Sequence, residues 1–123
     1  MSVLHGLARE VEEETGLRVT AWGGLLYEVT ATSLDLGWVM HCEVHLVRGI
    51  EGALTIDDPD GIVDHAAYVG PDELAEHLAG CFPWVREPLA EWLVERWPGD
   101  APRRFRYEVR GRSLDALTAV RVD

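Results

Sequence analysis

Apolar and polar residues follow two different periods in the first half of the chain. Residues 3–15 carry apolar side chains at the spacing of one helical face, namely Leu4, Leu7, Ala8 and Val11. Gly16 follows where a helix would end. Residues 36–48 instead alternate apolar and polar side chains, and residues 17–30 are rich in Val, Leu, Trp and Tyr. The pattern therefore predicts a helix over 3–15 followed by two strands.

The rest of the chain predicts shorter elements. In order, they are a strand over 53–56, an acidic turn over 57–61, a strand over 62–69, and helices over 72–78 and 84–97. The last part is either a hairpin of 105–109 with 117–122, or a strand and a helix. A helix, several strands and then helices indicate an α+β or mixed α/β/α layered domain.

Length and charge narrow the class of protein. The chain has 123 residues, enough for a single domain over 1–123, and a formal net charge of -11. An acidic body, residues 1–102, precedes an Arg-rich segment, residues 103–123. The acidic body argues against a nucleic-acid polymer as partner but suits divalent cations. No apolar run reaches membrane-spanning length and the start lacks a secretory signal, so we expect a cytoplasmic protein without a membrane partner.

Three carboxylates crowd one side of the predicted first helix. At 100° per residue, Glu10, Glu13 and Glu14 lie together beside the apolar stripe. Like charges at this spacing repel by about 0.2–0.5 kcal/mol per pair, and acids near a helix C-terminus are also disfavoured. A bound Mg²⁺ or Mn²⁺ would offset this cost, since both take oxygen ligands. A solvated acidic face is the alternative.

The order of residue types over 9–17 favours a bound divalent cation. This segment, Arg-Glu-Val-Glu-Glu-Glu-Thr-Gly-Leu, resembles the second half of the Nudix box, Gly-x5-Glu-x7-Arg-Glu-U-x-Glu-Glu-x-Gly-U with U aliphatic, and matches every specified position from Arg9 to Leu17. The segment over 57–74 and the helix over 84–97 are more loosely similar to later parts of Nudix proteins. The resemblance implies a Nudix-like α/β/α sandwich with a mixed sheet.

The resemblance also implies an activity. Nudix hydrolases cleave a nucleoside diphosphate linked to another moiety, by attack of water on phosphorus with Mg²⁺ or Mn²⁺ held by the box helix. Glu10, Glu13 and Glu14 would be the catalytic metal ligands, and Glu10 matches the position that helps to deprotonate water in some members. Arg9 would orient the carboxylates by ion pairing, and Gly16 would turn the chain into the next strand.

The first half of the box is missing. The family's first Glu falls on Met1, and its leading Gly falls before the chain begins, together with the early strands. Three explanations remain open: an N-terminally shortened form of a longer protein, a second copy that exchanges strands, or a non-catalytic domain. Because the missing strands leave an open sheet edge, we expect a homodimer. In every case the activity would be impaired by the lost support.

Other candidate residues lie outside the box. His41, Glu43 and His45 share one face of a predicted strand, at a spacing that suits Zn²⁺. The alternatives are a partly exposed surface or, in a Nudix-like fold, part of the substrate-pocket wall. Asp64 or Glu43 is a candidate for a further metal carboxylate of the kind found in Nudix enzymes, and Trp22 or Trp38 for stacking on a base. The Arg cluster consists of Arg103, Arg104, Arg106, Arg110 and Arg112. It is a solvated face, a phosphate site or a docking surface, and the sequence leaves these alternatives open.

Three hypotheses follow from these residues. The first is an Mg²⁺-dependent Nudix-type hydrolase that acts on a nucleoside diphosphate derivative. The second is a catalytically inactive Nudix-like module for nucleotide binding or dimerisation, and the third is an unrelated α+β domain with a solvated acidic helix. Cys42 and Cys81 have no partner at metal-ligand spacing, so we expect both to be reduced and buried.

Overall fold

A computed structural model describes residues 3–54 and 69–122. The described elements are α1 (Val3–Thr15), β1 (Arg18–Ser33), β2 (Trp38–Glu51), α2 (Pro71–Leu78), α3 (Pro83–Glu95), β3 (Arg103–Arg110), a 3₁₀ turn (Leu114–Ala116) and β4 (Thr118–Arg121). Over this part of the chain, the protein is a mixed α+β structure with three α-helices and a four-stranded sheet. None of the described helices combines the length and apolar character needed to span a membrane.

The sheet has the strand order β2-β1-β3-β4 and is mixed. A turn of four residues joins β1 to β2, so these hydrogen-bonded neighbours form an antiparallel hairpin. Parallel pairing joins β1 to β3, with Val29 opposite Phe105, and antiparallel pairing joins β3 to β4. Parallel strands need a long crossover connection, and the segment between β2 and β3 contains α2 and α3.

The chain divides into two compact units. The first comprises residues 1–23 and 47–69 and includes α1, the start of β1 and the end of β2. The second comprises residues 24–46 and 70–123 and includes α2, α3, β3, β4 and the remainder of β1 and β2. Both long strands therefore contribute residues to each unit.

Alternation along the strands produces the core of the second unit. From Tyr27 to Ser33 in β1 and from Phe105 to Val109 in β3, the odd-numbered residues are buried, and they pair across the two strands, as in Ala31 opposite Tyr107. Two tryptophans complete this core: Trp84 in α3 and Trp97 just after it. The Trp97 indole Nε1 donates a hydrogen bond of 2.6 Å to the buried carbonyl of Leu26, which satisfies its polar atom.

Most of the elements expected from the pattern are confirmed. The helix over 3–15, the first two strands and the helix over 72–78 all occur, with small shifts in some of their ends. Of the two alternatives for the last part of the chain, the hairpin occurs. The last helix ends at Glu95 rather than at Trp97, because Arg96 takes a left-handed conformation with φ 54° and Trp97 precedes a proline. The predicted turn over 57–61 lies outside the described residues, as do residues 55–56 and 62–68 of the two predicted strands, whereas residues 53, 54 and 69 are described and do not form a strand.

The expectation that both cysteines are buried is wrong. Cys42 is exposed on β2 and Cys81 is partly exposed, and both are free thiols. Cys42 shares the strand face of the β2 residues that pack against the core, including Met40 and Val44. However, β2 lies at the end of the strand order among the described strands, so within that part of the chain its side chains have a neighbouring strand on one side only.

Two core tyrosines predict a loss of stability at alkaline pH. Burial raises the pKa of Tyr27 from 10.0 to about 12. Burial also raises the pKa of Tyr107, and the hydrogen bond of 2.9 Å that its hydroxyl donates to Glu87 raises it further. Both phenols therefore keep their protons in the folded state at a pH where the unfolded chain has lost them. The resulting contribution to stability is complete below pH 10 and decreases as the pH rises towards 12.

We expect the urea concentration at the unfolding midpoint to decrease as the pH is raised from about 9.5 to about 11.5. The decrease should be less steep in Tyr27→Phe. Every basic residue of the chain is Arg, so lysine titration does not contribute in this window. Equal slopes in the parent and the variant would contradict the prediction.

Candidate functional site

The three carboxylates that the Nudix resemblance implies as metal ligands lie on α1, in the first unit. Glu10, Glu13 and Glu14 are exposed, and no residue of α1 is buried. The last turn of the helix contains no basic residue, so the charge repulsion expected from the sequence has no compensating side chain within that turn. Arg9 is also exposed and has no ion pair with any residue in 3–54 or 69–122. Its predicted role in orienting the carboxylates stays a prediction.

The C-terminal end of α1 is well defined. Gly16 has φ 77°, and its amide donates a hydrogen bond of 2.9 Å to the carbonyl of Glu12. The Thr15 hydroxyl donates to the carbonyl of Val11 at 2.6 Å and accepts from the amide of Leu17 at 3.2 Å. These bonds end the helix one residue after Glu14 and direct the chain into β1.

The two strands that follow α1 are held together near its end. Arg18 at the start of β1 forms an ion pair with Glu51 at the end of β2, and this hydrogen bond raises the pKa of Arg18. Gly52 packs closely on the helix end, because a Cβ there would lie 2.9 Å from the carbonyl oxygen of Gly16. The glycine that closes α1 therefore also contacts the chain just after β2.

A second group of polar residues lies on the sheet of the second unit. We call it the polar face: it is formed by the even-numbered residues of β3, and by residues of β1 and β2 that alternate with the core, namely Glu28, Thr30, Thr32, His41, Glu43 and His45. Register places Glu28 opposite Arg104 and Thr30 opposite Arg106 across β1 and β3. The residues of β3 on this face are exposed, including Glu108.

Glu28, His41 and Glu43 come together on the polar face. Each offers one ligand atom, and these atoms all lie within 4.8 Å of one another. In the described part of the chain, no other three His, Cys, Asp or Glu residues converge in this way. The α1 carboxylates consequently do not converge as the side chains stand, although they are exposed and carry the oxygen donors that Mg²⁺ prefers.

The cluster extends the group expected from the sequence. His41, Glu43 and His45 were predicted to share one strand face, and His45 Nε2 does lie 3.1 Å from Glu43 Oε1. The additional member is Glu28, from the neighbouring strand. Its alternation with the buried residues Tyr27 and Val29 is visible in the sequence, but its position beside His41 depends on the strand register.

Three residues of the Arg cluster form ion pairs, namely Arg103, Arg104 and Arg110. Arg103 forms an ion pair of 3.0 Å with Glu95, which lowers the pKa of that carboxyl, and its guanidinium lies over the Trp97 ring. Arg104 pairs with Glu28 at 3.1 Å. By contrast, Arg106 has no ion pair or side-chain hydrogen bond with any residue in the described ranges.

The remaining candidates are placed as follows. Trp38 packs at 6.1 Å from Trp84, so it belongs to the packing of the second unit. Trp22 is partly buried in β1, and Asp64 lies outside the described residues. Arg110 pairs with Glu108 at 3.4 Å. No family model matches this chain, and no curated protein matches it either.

Proposed function

We propose that this protein is a metal-dependent hydrolase of the Nudix type, which cleaves a nucleoside diphosphate linked to another moiety. The observation that carries the proposal is the box-like segment from Arg9 to Leu17, in which seven specified positions match in order. Its residues lie on a helix that ends where the box requires, since Gly16 has a left-handed φ of 77°. The wider proposal includes a Nudix-like α/β/α arrangement.

Within this proposal, Glu10, Glu13 and Glu14 would bind Mg²⁺ or Mn²⁺. All three are exposed, so their side chains can change rotamer without disturbing a core. A bound divalent ion lowers the pKa of a coordinated water and neutralises substrate phosphates. This chemistry would allow a chain with a net charge of -11 to bind an anionic nucleotide. The carboxylates would hold the ion, and Glu10 would accept a proton from the attacking water.

The proposed oligomer is a homodimer. Its support is the strand order of the described sheet, in which β2 and β4 lie at the ends. Unpaired strand edges favour pairing with a second chain. The proposed location in the cell is the cytoplasm, with a small nucleotide rather than a nucleic-acid polymer as partner.

The test compares two neighbouring acids of the same helix. Glu13→Gln removes a proposed ligand, whereas Glu12→Gln removes the same charge at a position that the box leaves unspecified. We expect Glu13→Gln to weaken Mg²⁺ or Mn²⁺ binding by calorimetry and to lower kcat/KM on the order of a hundredfold. Glu12→Gln should retain both. The assay is release of phosphate or nucleoside monophosphate from nucleoside triphosphates, dinucleoside polyphosphates, ADP-ribose and sugar nucleotides.

The other outcomes separate the alternatives. Metal binding without turnover of any compound would favour the inactive nucleotide-binding module. Equal losses in Glu12→Gln and Glu13→Gln would indicate a general effect of charge, and would contradict a specific site on α1.

A further inference from the structure

The sheet carries a cluster of donor atoms that the proposed hydrolase site does not use. Glu28 on β1 and His41 with Glu43 on β2 place three ligand atoms within 4.8 Å of one another. The His41 Nε2 atom lies 3.4 Å from Glu28 Oε1. Two ligands at about 2.1 Å from a tetrahedral Zn²⁺ are separated by roughly 3.4 Å. This pair therefore already has the spacing that a shared zinc ion requires.

Each of the three residues also contacts a polar side chain outside the cluster, which we call its outer partner. The contact uses one of the two polar side-chain atoms of that residue. The Thr30 hydroxyl lies 3.1 Å from His41 Nδ1, Arg104 Nε donates to Glu28 Oε2 at 3.1 Å, and His45 Nε2 lies 3.1 Å from Glu43 Oε1. Each partner comes from outside the set of three donors. Together they leave Nε2 of the imidazole and one oxygen of each carboxylate for a cation. Metal sites in proteins commonly have such an outer shell, which orients the ligands.

The charges of the cluster also favour a bound cation. Glu28 and Glu43 come from hydrogen-bonded neighbouring strands, and close like charges across a sheet are destabilising. Arg104 forms an ion pair with Glu28, but its own side chain is 84% exposed. It therefore offsets the repulsion between Glu28 and Glu43 only weakly. A divalent cation between the two carboxylates would remove their repulsion directly.

We propose that Glu28, His41 and Glu43 bind a Zn²⁺ ion on the polar face. An imidazole together with two carboxylates suits zinc, whereas Mg²⁺ prefers oxygen ligands alone. Three protein ligands leave a fourth tetrahedral position for water or an anionic ligand. The site is distinct from the α1 carboxylates in both its residues and its metal preference, and it does not depend on the proposed hydrolase activity.

The experiment measures Zn²⁺ binding to the full chain by competition with a chromogenic chelator, after removal of bound metal. We expect one equivalent to bind, and excess Mg²⁺ to leave it bound. His41→Gln and Glu43→Gln should each weaken Zn²⁺ binding more than tenfold. Thr30→Val should weaken it by roughly 10–100-fold, the usual effect of losing an outer partner. Circular dichroism checks that each variant is folded.

Three control variants keep the result specific. His77→Gln removes an exposed histidine of α2, Cys42→Ser removes the exposed thiol between His41 and Glu43, and the double variant Glu13→Gln, Glu14→Gln removes the α1 carboxylates. All three should bind Zn²⁺ like the parent. Unchanged binding in His41→Gln would overturn the proposal, and so would loss of binding in Cys42→Ser. Loss of zinc only in the α1 variant would assign the ion to the helix instead.

Co²⁺ provides a second readout that does not depend on affinity alone. We expect the visible spectrum of the Co²⁺-loaded chain to change in His41→Gln and to remain as in the parent in His77→Gln. Identical spectra in the parent and His41→Gln would show that the imidazole is not a ligand, and would overturn the proposal.

Discussion

Phe105→Ala is expected to lower the free energy of unfolding by about 3–5 kcal/mol. Phe105 is only 1% exposed and lies at the centre of an aromatic group in the second unit. Its ring contacts Tyr27 edge to face at 5.6 Å and lies 6.3 Å from Trp97. Truncation removes these contacts and leaves a cavity that neighbouring rings and strands fill only in part. Urea denaturation followed by tryptophan fluorescence measures the loss.

Val94→Ala is the matched control for this loss of apolar atoms. Val94 lies on α3 and is 84% exposed, so its truncation opens no cavity. We expect its free energy of unfolding to change by less than about 0.5 kcal/mol. A loss below about 1 kcal/mol in Phe105→Ala would show that Phe105 does not lie in a closely packed core.

Gly24→Ala is expected to have the second-largest effect, about 3 kcal/mol or more. Gly24 has φ 102°, a conformation that residues with a Cβ rarely adopt. A Cβ at this position would also lie 2.8 Å from the carbonyl carbon of Gly99, and closer still to its oxygen. Because the obstructing atoms belong to the backbone, a change of rotamer cannot relieve the overlap.

Gly37→Ala separates the effect of a positive φ from the effect of the overlap with the Gly99 backbone. Gly37 also has a positive φ, at 75°, but no described atom outside its immediate neighbours lies within 4 Å of a Cβ built there. We expect this variant to lose only about 1–2 kcal/mol, from the backbone conformation alone. Both variants are measured by urea denaturation under the same conditions. Equal losses would indicate that the approach of Gly99 contributes nothing at Gly24.

Local chemistry made several elements predictable. The helix over 3–15 followed from its apolar spacing and from Gly16, which has the left-handed φ that ends the helix. The alternation over 36–48 correctly divided β2 into a side that packs on the core, with Trp38 and Met40, and a polar side with His41 and Glu43. Such signals depend only on neighbouring residues, so the sequence carries them directly.

Other features depended on residues far apart in the chain. The sequence left the final segment open between a hairpin and a strand with a helix, and the pairing of Tyr107 with Arg121 decides for the hairpin. The parallel pairing of β1 with β3 joins residues separated by 76 positions, as in Glu28 and Arg104. No local pattern specifies such a partner, because every strand offers the same backbone groups.

The candidate sites divide in the same way. The sequence by itself determined the Arg9 to Leu17 segment, because the motif and its helical spacing are contiguous. It also placed His41, Glu43 and His45 on one face, since alternation is local. Only the tertiary structure brought Glu28, Thr30 and Arg104 to these residues. The physical reason is register: a shift of one residue in β1 would turn Glu28 to the other face of the sheet and remove a donor from the cluster.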